Sequence, residues 1–391
     1  MKIVCSSTLA CPREAFSGLG DVVIVEDRHI GAGDVHDADA LIVRSTTRVT
    51  RELLERSRVR FVGTATIGTD HMDIPFLEHQ AIRWCYAQGC NANSVSEYLT
   101  SALLCLAVRH GLVLRGMTMG VIGVGNVGSR VARKAQALGM DVLLNDPPLQ
   151  RAEQAAVAGA RTPFVSRDEV LRNADIITVH VPLTREGEDR TLHMADETFF
   201  RRMKPGAIFL NLARGPVVQT DELLHAMGEG RVKHAVIDTW EGEPAYRKDL
   251  LTRVDLGTPH IAGHSFEGKV MGTYMVYLEA CRFFGAQPTW SPEPLLLASG
   301  ARAIQLPPSV ADEVATLWSA VRSVYDIETD DRRLREGCVD DPAQRAAHFD
   351  GLRKNYPVRR EFPSARIDPA MPDLPAVDVL RQLGFQIGMS C

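Results

Sequence analysis

Three segments of this 391-residue chain each follow an apolar run with a side chain that can move a proton or hold an anion. They are NLARGPVVQTDEL, carrying Arg214, VIDTWEGEP, carrying Glu243, and GTPHIAGHS, carrying His260. Oxidising an alcohol needs a base for the hydroxyl proton, a partner that fixes the base, and a cation for a carboxylate or developing carbonyl oxygen. Imidazole titrates near neutrality, a carboxylate holds its tautomer, and a guanidinium forks onto a carboxylate. The hydride acceptor has its own signature. Gly123-Val124-Gly125-Asn126-Val127-Gly128 follows a strand-like run and opens a helix-like one, and Asp146 closes the next strand 18 residues beyond Gly128. The first glycine permits the turn, the second lets backbone approach a pyrophosphate, and the third lets helix and strand pack closely. Asp146 would accept bonds from a ribose diol and repel a 2′-phosphate, so the pattern predicts NAD rather than NADP.

Such residues meet only if parallel strands carry them to one edge of a sheet, because ligands bind at strand C-terminal ends. The sequence supplies those strands. MKIV, DVVIV, ALIVR and FVGTAT alternate with helical patterns through the first hundred residues, and MTMGVIGV, MDVLLND, IITVHV, AIFLNLA and HAVID form a second series. Between them NANSVSEYLTSALLCLAVRHG reads as one helix, with Gly111 as its stop. Pro288, Pro292 and Pro294 mark a linker, after which VDVLRQLGFQIG reads as a helix ended by Gly384 and then a strand. The expected fold is α/β: two doubly wound Rossmann-like or flavodoxin-like domains with parallel sheets, plus a small C-terminal α+β module. The expected bounds are 1–92 completed by 262–285 for the first domain, 93–261 for the dinucleotide domain and 286–391 for the module.

Composition narrows the partners. With 44 Lys plus Arg against 49 Asp plus Glu the formal charge is −5, so no global positive field recruits nucleic acid or an anionic membrane, and neither partner is expected. MKIVCSSTLACPREAF lacks the apolar core of a signal peptide, and no apolar run is long enough to span a bilayer. The eight cysteines form no C-x-x-C pair, and His71, His180 and His193 show no H-E-x-x-H spacing, so thiols in a cytoplasm and no metal are expected.

Taken together, NLARGPVVQTDEL, DTWEGEP and TPHIAG resemble the D-isomer-specific 2-hydroxyacid dehydrogenase family. The resemblance implies catalytic roles for Arg214, Glu243 and His260. It also implies contacts to NAD from Asn126, Val127, Asp146, Val181, Leu212, Ala213, Arg214, Asp238 and Gly263, and to substrate from Ser45, Thr66 and His264. Where many relatives have Tyr this chain has His264, and Val181 stands where some have Thr, leaving it a backbone or packing role. Matching stretches run on through GCNANSVSEY, HIAGHSFEGK, SVYDIETDDRRLR and FDGLRKNYPVRREF. The last two resemble the dimerisation module of one branch of the family, which implies a homodimer and a phosphorylated 2-hydroxy acid on the route to pyridoxal phosphate.

A phosphate needs cations, and Arg44 beside Ser45 is the nearest candidate by position. The GTATIGTD loop offers backbone N–H groups for a carboxylate. The basic run of Arg353, Lys354, Arg359 and Arg360 reads as a solvated face, with a partner subunit's phosphate site as the alternative. Another 2-hydroxy acid, such as 3-phosphoglycerate, and a coenzyme-sensing scaffold stay open at this level.

Overall fold

The computed structural model describes residues 1–155, 162–297, 302–306, 312–368 and 375–388. The chain forms two compact units, 1–92 with 264–300 and 93–263 with 301–391.

The first unit is built on β1 (Lys2–Ser6), β2 (Asp21–Val25), β3 (Ala40–Val43), β4 (Phe61–Thr64) and β5 (Arg83–Tyr86). They pair in parallel in the order β2-β1-β3-β4-β5. Successive side chains point to opposite faces, so a strand buried on both must be apolar throughout, as ALIV is. Ile3, Cys5, Ile42 and Phe61 pack with Val276, Tyr277 and Ala280 of the Phe266–Phe284 helix. Val4, Leu41, Val43 and Val62 face Val35, Leu53, Leu54 and Phe76 on the other side. The returning helix 266–284 is therefore part of this unit although it lies some 180 residues from the fifth strand in sequence.

The second unit carries β6 (Thr118–Ile122), β7 (Asp141–Asn145), β8 (Ile176–Val179), β9 (Ala207–Asn211), β10 (Val232–Ile237) and β11 (Leu256–Gly257). Their order is β11-β10-β9-β8-β6-β7, all parallel. After β7 the chain crosses to the other side of β6, which makes the β6/β8 edge the switch point where a doubly wound sheet opens a crevice. The 19-residue helix Ala92–His110 reads as expected from the sequence and stops at Gly111, whose φ is +64°. Within the same unit a short parallel sheet of β12 (Arg302–Gln305), β13 (Ala365–Asp368) and β14 (Gln386–Ile387) shares a core with the Gly128–Ala137 helix. Phe362 and Phe385 stack there with ring centroids 4.6 Å apart. Among the described residues no helix is long and apolar enough to cross a membrane.

Candidate active site

The glycine corner follows β6. Gly123 has φ of +88°, and a Cβ there would come within 2.8 Å of the His180 backbone. At Gly128 a Cβ would lie 1.9 Å from the carbonyl oxygen of Gly123, so turn and helix close on each other only without a side chain. At Gly125 a Cβ would meet nothing within 4 Å. Two glycines thus close the corner and the middle one leaves space above it, which is the arrangement that fits a pyrophosphate. Val127 occupies the position before the helix start, and the Asn126 carbonyl accepts a bond from Arg130 Nη1 at 2.7 Å. Asp146, at the end of β7, accepts from the Val124 amide at 2.8 Å with Oδ2 and from the Leu149 amide at 3.0 Å with Oδ1. Its charge is pinned beside the corner.

His180 and Val181 follow β8, and the amide of His180 donates to Ile122 at 2.8 Å. Val181 reaches the corner through its backbone nitrogen. Burial drives the His180 imidazole down to about 3, which keeps a neutral ring against the site. The sequence offered His180 only as a metal candidate to be dismissed.

β9 ends at Asn211, and the chain then gives the buried Leu212 and Ala213, then Arg214. Asn211 Nδ2 donates to the carbonyls of Arg214 at 3.2 Å and Thr239 at 3.1 Å, and its Oδ1 accepts from the Ala213 amide at 3.2 Å. One buried amide therefore ties the loop after β9 to the loop after β10. Gly215 completes the join, since a Cβ there would lie 1.9 Å from the Trp240 carbonyl oxygen. Nothing in the sequence marked Asn211 for this task. Arg214 Nη1 donates to the carbonyl of Ala213 at 2.9 Å.

The loop after β11 presents His260, with φ of +54°, and His260 Nδ1 lies 2.6 Å from Glu243 Oε1. About a quarter of each side chain is exposed, 27% and 26%. Glu243 is fixed in turn by the Trp240 amide, 3.0 Å from Oε2. Burial would raise its pKa, but the charge and hydrogen bond of His260, with the Trp240 N–H, hold the carboxyl below its usual range. An ionised Glu243 accepts from Nδ1–H, which leaves Nε2 as the ring nitrogen for proton transfer.

Asp238, at the end of β10, is 1% exposed. Its Oδ1 accepts from Thr258 Oγ1 at 2.7 Å and the Ile261 amide at 2.8 Å, and its Oδ2 from the Ala262 amide at 3.0 Å. The carboxylate thereby straps the loop that carries His260 and ends at Gly263. Tyr98 Oη, 2.6 Å from Thr258 Oγ1, extends this network to the 92–110 helix. The resemblance implies a coenzyme contact from Asp238, and both its carboxylate oxygens also accept bonds from the loop that carries His260.

In the first unit, Arg44 and Ser45 follow β3, and Thr66 follows β4 with its hydroxyl 2.8 Å from Thr64 Oγ1 and 3.0 Å from the Gly68 carbonyl. His264 and Ser265 lead into the 266–284 helix, where Ser265 Oγ caps the Gly268 amide at 2.9 Å. One turn on is Lys269, which carries no sequence signature of its own. Burial, and then the charge of Arg44, push its ammonium down to about 8. The charge of Arg44 is therefore felt at Lys269 within the first unit.

The basic tail run is corrected at one position. Arg359 is 5% exposed, not solvated, and its guanidinium bonds two carbonyls of its own chain. A further cluster without a sequence signature joins Asp255 Oδ1 to His110 Nε2 and His234 Nδ1, each at 2.9 Å, and ties the end of the 92–110 helix to β10 and β11.

Comparison with known proteins fits this geometry. Residues 106–262 match the NAD binding domain of the D-isomer specific 2-hydroxyacid dehydrogenases, and residues 296–384 match a domain of unknown function. Proteins named erythronate-4-phosphate dehydrogenase from Cronobacter sakazakii and Klebsiella pneumoniae are each 44% identical to this chain, over 98% of both partners. The chain belongs to the erythronate-4-phosphate dehydrogenase family. Solved structures show the wider fold. An NAD-bound formate dehydrogenase from Staphylococcus aureus aligns with TM-score 0.60 at 24% identity over 74% of this chain and 98% of its own. An NAD-bound 3-phosphoglycerate dehydrogenase from Entamoeba histolytica gives 0.62 at 23% identity over 73% and 95%. Family membership and the corner around Gly125 together identify the coenzyme as NAD.

Proposed function

We propose that this protein oxidises 4-phospho-D-erythronate at C2 to 2-oxo-3-hydroxy-4-phosphobutanoate, a step towards pyridoxal phosphate. The observation that carries the reading is the 2.6 Å pair of His260 and Glu243 in a chain that shares 44% identity with proteins of that name. Bound NAD supplies the hydride acceptor. His260 Nε2 takes the hydroxyl proton as C2 gives up its hydride, and the anionic Glu243 stabilises the imidazolium that forms. Arg214 holds the C1 carboxylate and the oxygen that becomes a carbonyl. Gly123, Gly125, Asn126, Val127 and Gly128 hold the pyrophosphate, Asp146 the adenosine ribose, and Val181, Leu212, Ala213, Asp238 and Gly263 the remainder of the coenzyme. Ser45, Thr66 and His264 contact the substrate, and Arg44 with Lys269 hold its phosphate.

The C-terminal residues 286–391 act as a dimerisation module of a cytoplasmic homodimer. Support comes from the tail motifs SVYDIETDDRRLR and FDGLRKNYPVRREF and from relatives alike over 98% of their length. Purified protein mixed with NAD and either 4-phospho-D-erythronate or 3-phosphoglycerate tests the reading by the rise of reduced-nicotinamide absorbance. Turnover of the four-carbon acid is expected. Preference for 3-phosphoglycerate would overturn it.

A further inference from the structure

We propose that Arg359, supplied by the C-terminal segment, is a positioning residue that pins the end of the loop carrying His260 to the start of the 92–110 helix, beside the points where the chain first enters and first leaves the second unit. The inference rests on the function proposed above. The second unit begins at Asn93 and its first stretch ends at Gly263. Arg359 Nη2 donates to the Ser94 carbonyl at 2.6 Å and Nη1 to the Ala262 carbonyl at 3.2 Å. Each bond falls one residue inside a crossing. Ser94 Oγ donates to the same Ala262 carbonyl at 2.8 Å, while Asp238 takes the Ala262 amide at 3.0 Å. The peptide two residues beyond His260 is thus held on both sides, by the dinucleotide sheet through Asp238 and by the tail through Arg359.

The tail is fastened around the same helix start by neighbouring contacts. Asn93 Nδ2 donates to Glu97 at 2.9 Å and to Glu361 at 2.6 Å, and the Phe362 amide donates to Glu97 at 2.9 Å. The guanidinium carbon sits 3.9 Å from the centre of the Tyr325 ring, which fixes the plane of the fork. A planar fork that bridges two carbonyls while stacking on a ring is a task an ammonium cannot reproduce. In this account the tail does more than associate subunits, because it sets the geometry of a loop whose misplacement by about 1 Å costs on the order of 100-fold in rate.

Arg359→Lys tests this beside a matched control. Arg345 is also buried, at 8%, and its guanidinium also serves carbonyls, those of Tyr246, Val339 and Asp340, but none of these belongs to either crossing. Arg359→Lys is expected to lower kcat by about 10- to 100-fold with KM for NAD within about two-fold, and to speed deuterium exchange in the 260–263 peptide about 10-fold. Arg345→Lys is expected to lower Tm without either effect. Equal losses in the two variants, or unchanged exchange or unchanged kcat in Arg359→Lys, would overturn the proposal. Should Arg359→Lys not fold, Ser94→Ala decides. A kcat about three-fold lower or more, with faster exchange at 260–263, supports the clamp, and wild-type values in both contradict it. The exchange readout needs no substrate, so a wild-type enzyme inactive on 4-phospho-D-erythronate would overturn the assigned reaction while exchange still decides the clamp.

Discussion

A methyl group added at Gly215 would sit 1.9 Å from the Trp240 carbonyl oxygen, 2.1 Å from its carbon and 2.5 Å from the Glu241 nitrogen. These are backbone atoms of the loop that leads to Glu243, so no side-chain rotation relieves them. Since Cβ contacts below 3.0 Å are essentially never found, Gly215→Ala must part the two loops by about 1 Å. Overpacking of this kind costs about 1–3 kcal/mol of stability, which a protein of this size tolerates. The displacement, however, separates Arg214 from the pair of Glu243 and His260, and a shift of that size is worth about 100-fold in rate. Steady-state kinetics beside thermal unfolding and NAD titration separate the two effects. The expected pattern is kcat down about 100-fold, NAD affinity within about three-fold and a modest fall in Tm. A folded Gly215→Ala enzyme with kcat within about three-fold of wild type would refute the claim that the join between these loops places the catalytic groups.

Other outcomes follow from the same geometry. Gly125→Ala is expected to keep the Tm of the parent and lose NAD affinity, whereas Gly128→Ala, with its Cβ 1.9 Å from the Gly123 carbonyl oxygen, loses both, as calorimetry and titration would show. Lys269 has its pKa depressed to about 8, so its charge is present below that pH and lost above it. The KM for the phosphorylated substrate is therefore expected to climb above about pH 8. Lys269→Met removes that limb and raises KM at pH 7 by about 10- to 100-fold, the worth of a charged hydrogen bond. For the ligand-free protein, the same depression makes stability rise as pH climbs from about 8 towards 10.5, the opposite of an ion-paired lysine. Asp146→Asn is expected to narrow the preference for NAD over NADP by removing the charge facing a 2′-phosphate, measured as the ratio of kcat/KM values.

Much of the fold and part of the site are legible in the amino-acid order, for physical reasons that differ by residue. Doubly buried strands such as ALIV and AIFLN must be apolar throughout, so they announce a parallel sheet. His260 and Glu243 are legible because each follows such a strand and because their residue types match one reaction. Asn211 and Asp238 are legible only as polar residues at strand ends. Their work is to bind backbone of another loop, and that depends on where the loop lies in space. Lys269 has no local signature because its depressed ammonium depends on burial in a helix that returns from residue 266 and on the charge of Arg44, far away in sequence. Arg359 sits in a run of basic residues whose composition suggests a wet surface, and composition does not tell which of them will find two carbonyls and a tyrosine ring.

As the proposed base, His260 removes the hydroxyl proton, and its loss must slow hydride transfer itself. Rapid mixing of His260→Gln, preloaded with NAD, against 4-phospho-D-erythronate measures hydride transfer in a single turnover. A rate lower by at least about 100-fold with NAD affinity unchanged is expected, and a rate within about ten-fold of the parent would rule out His260 as the base.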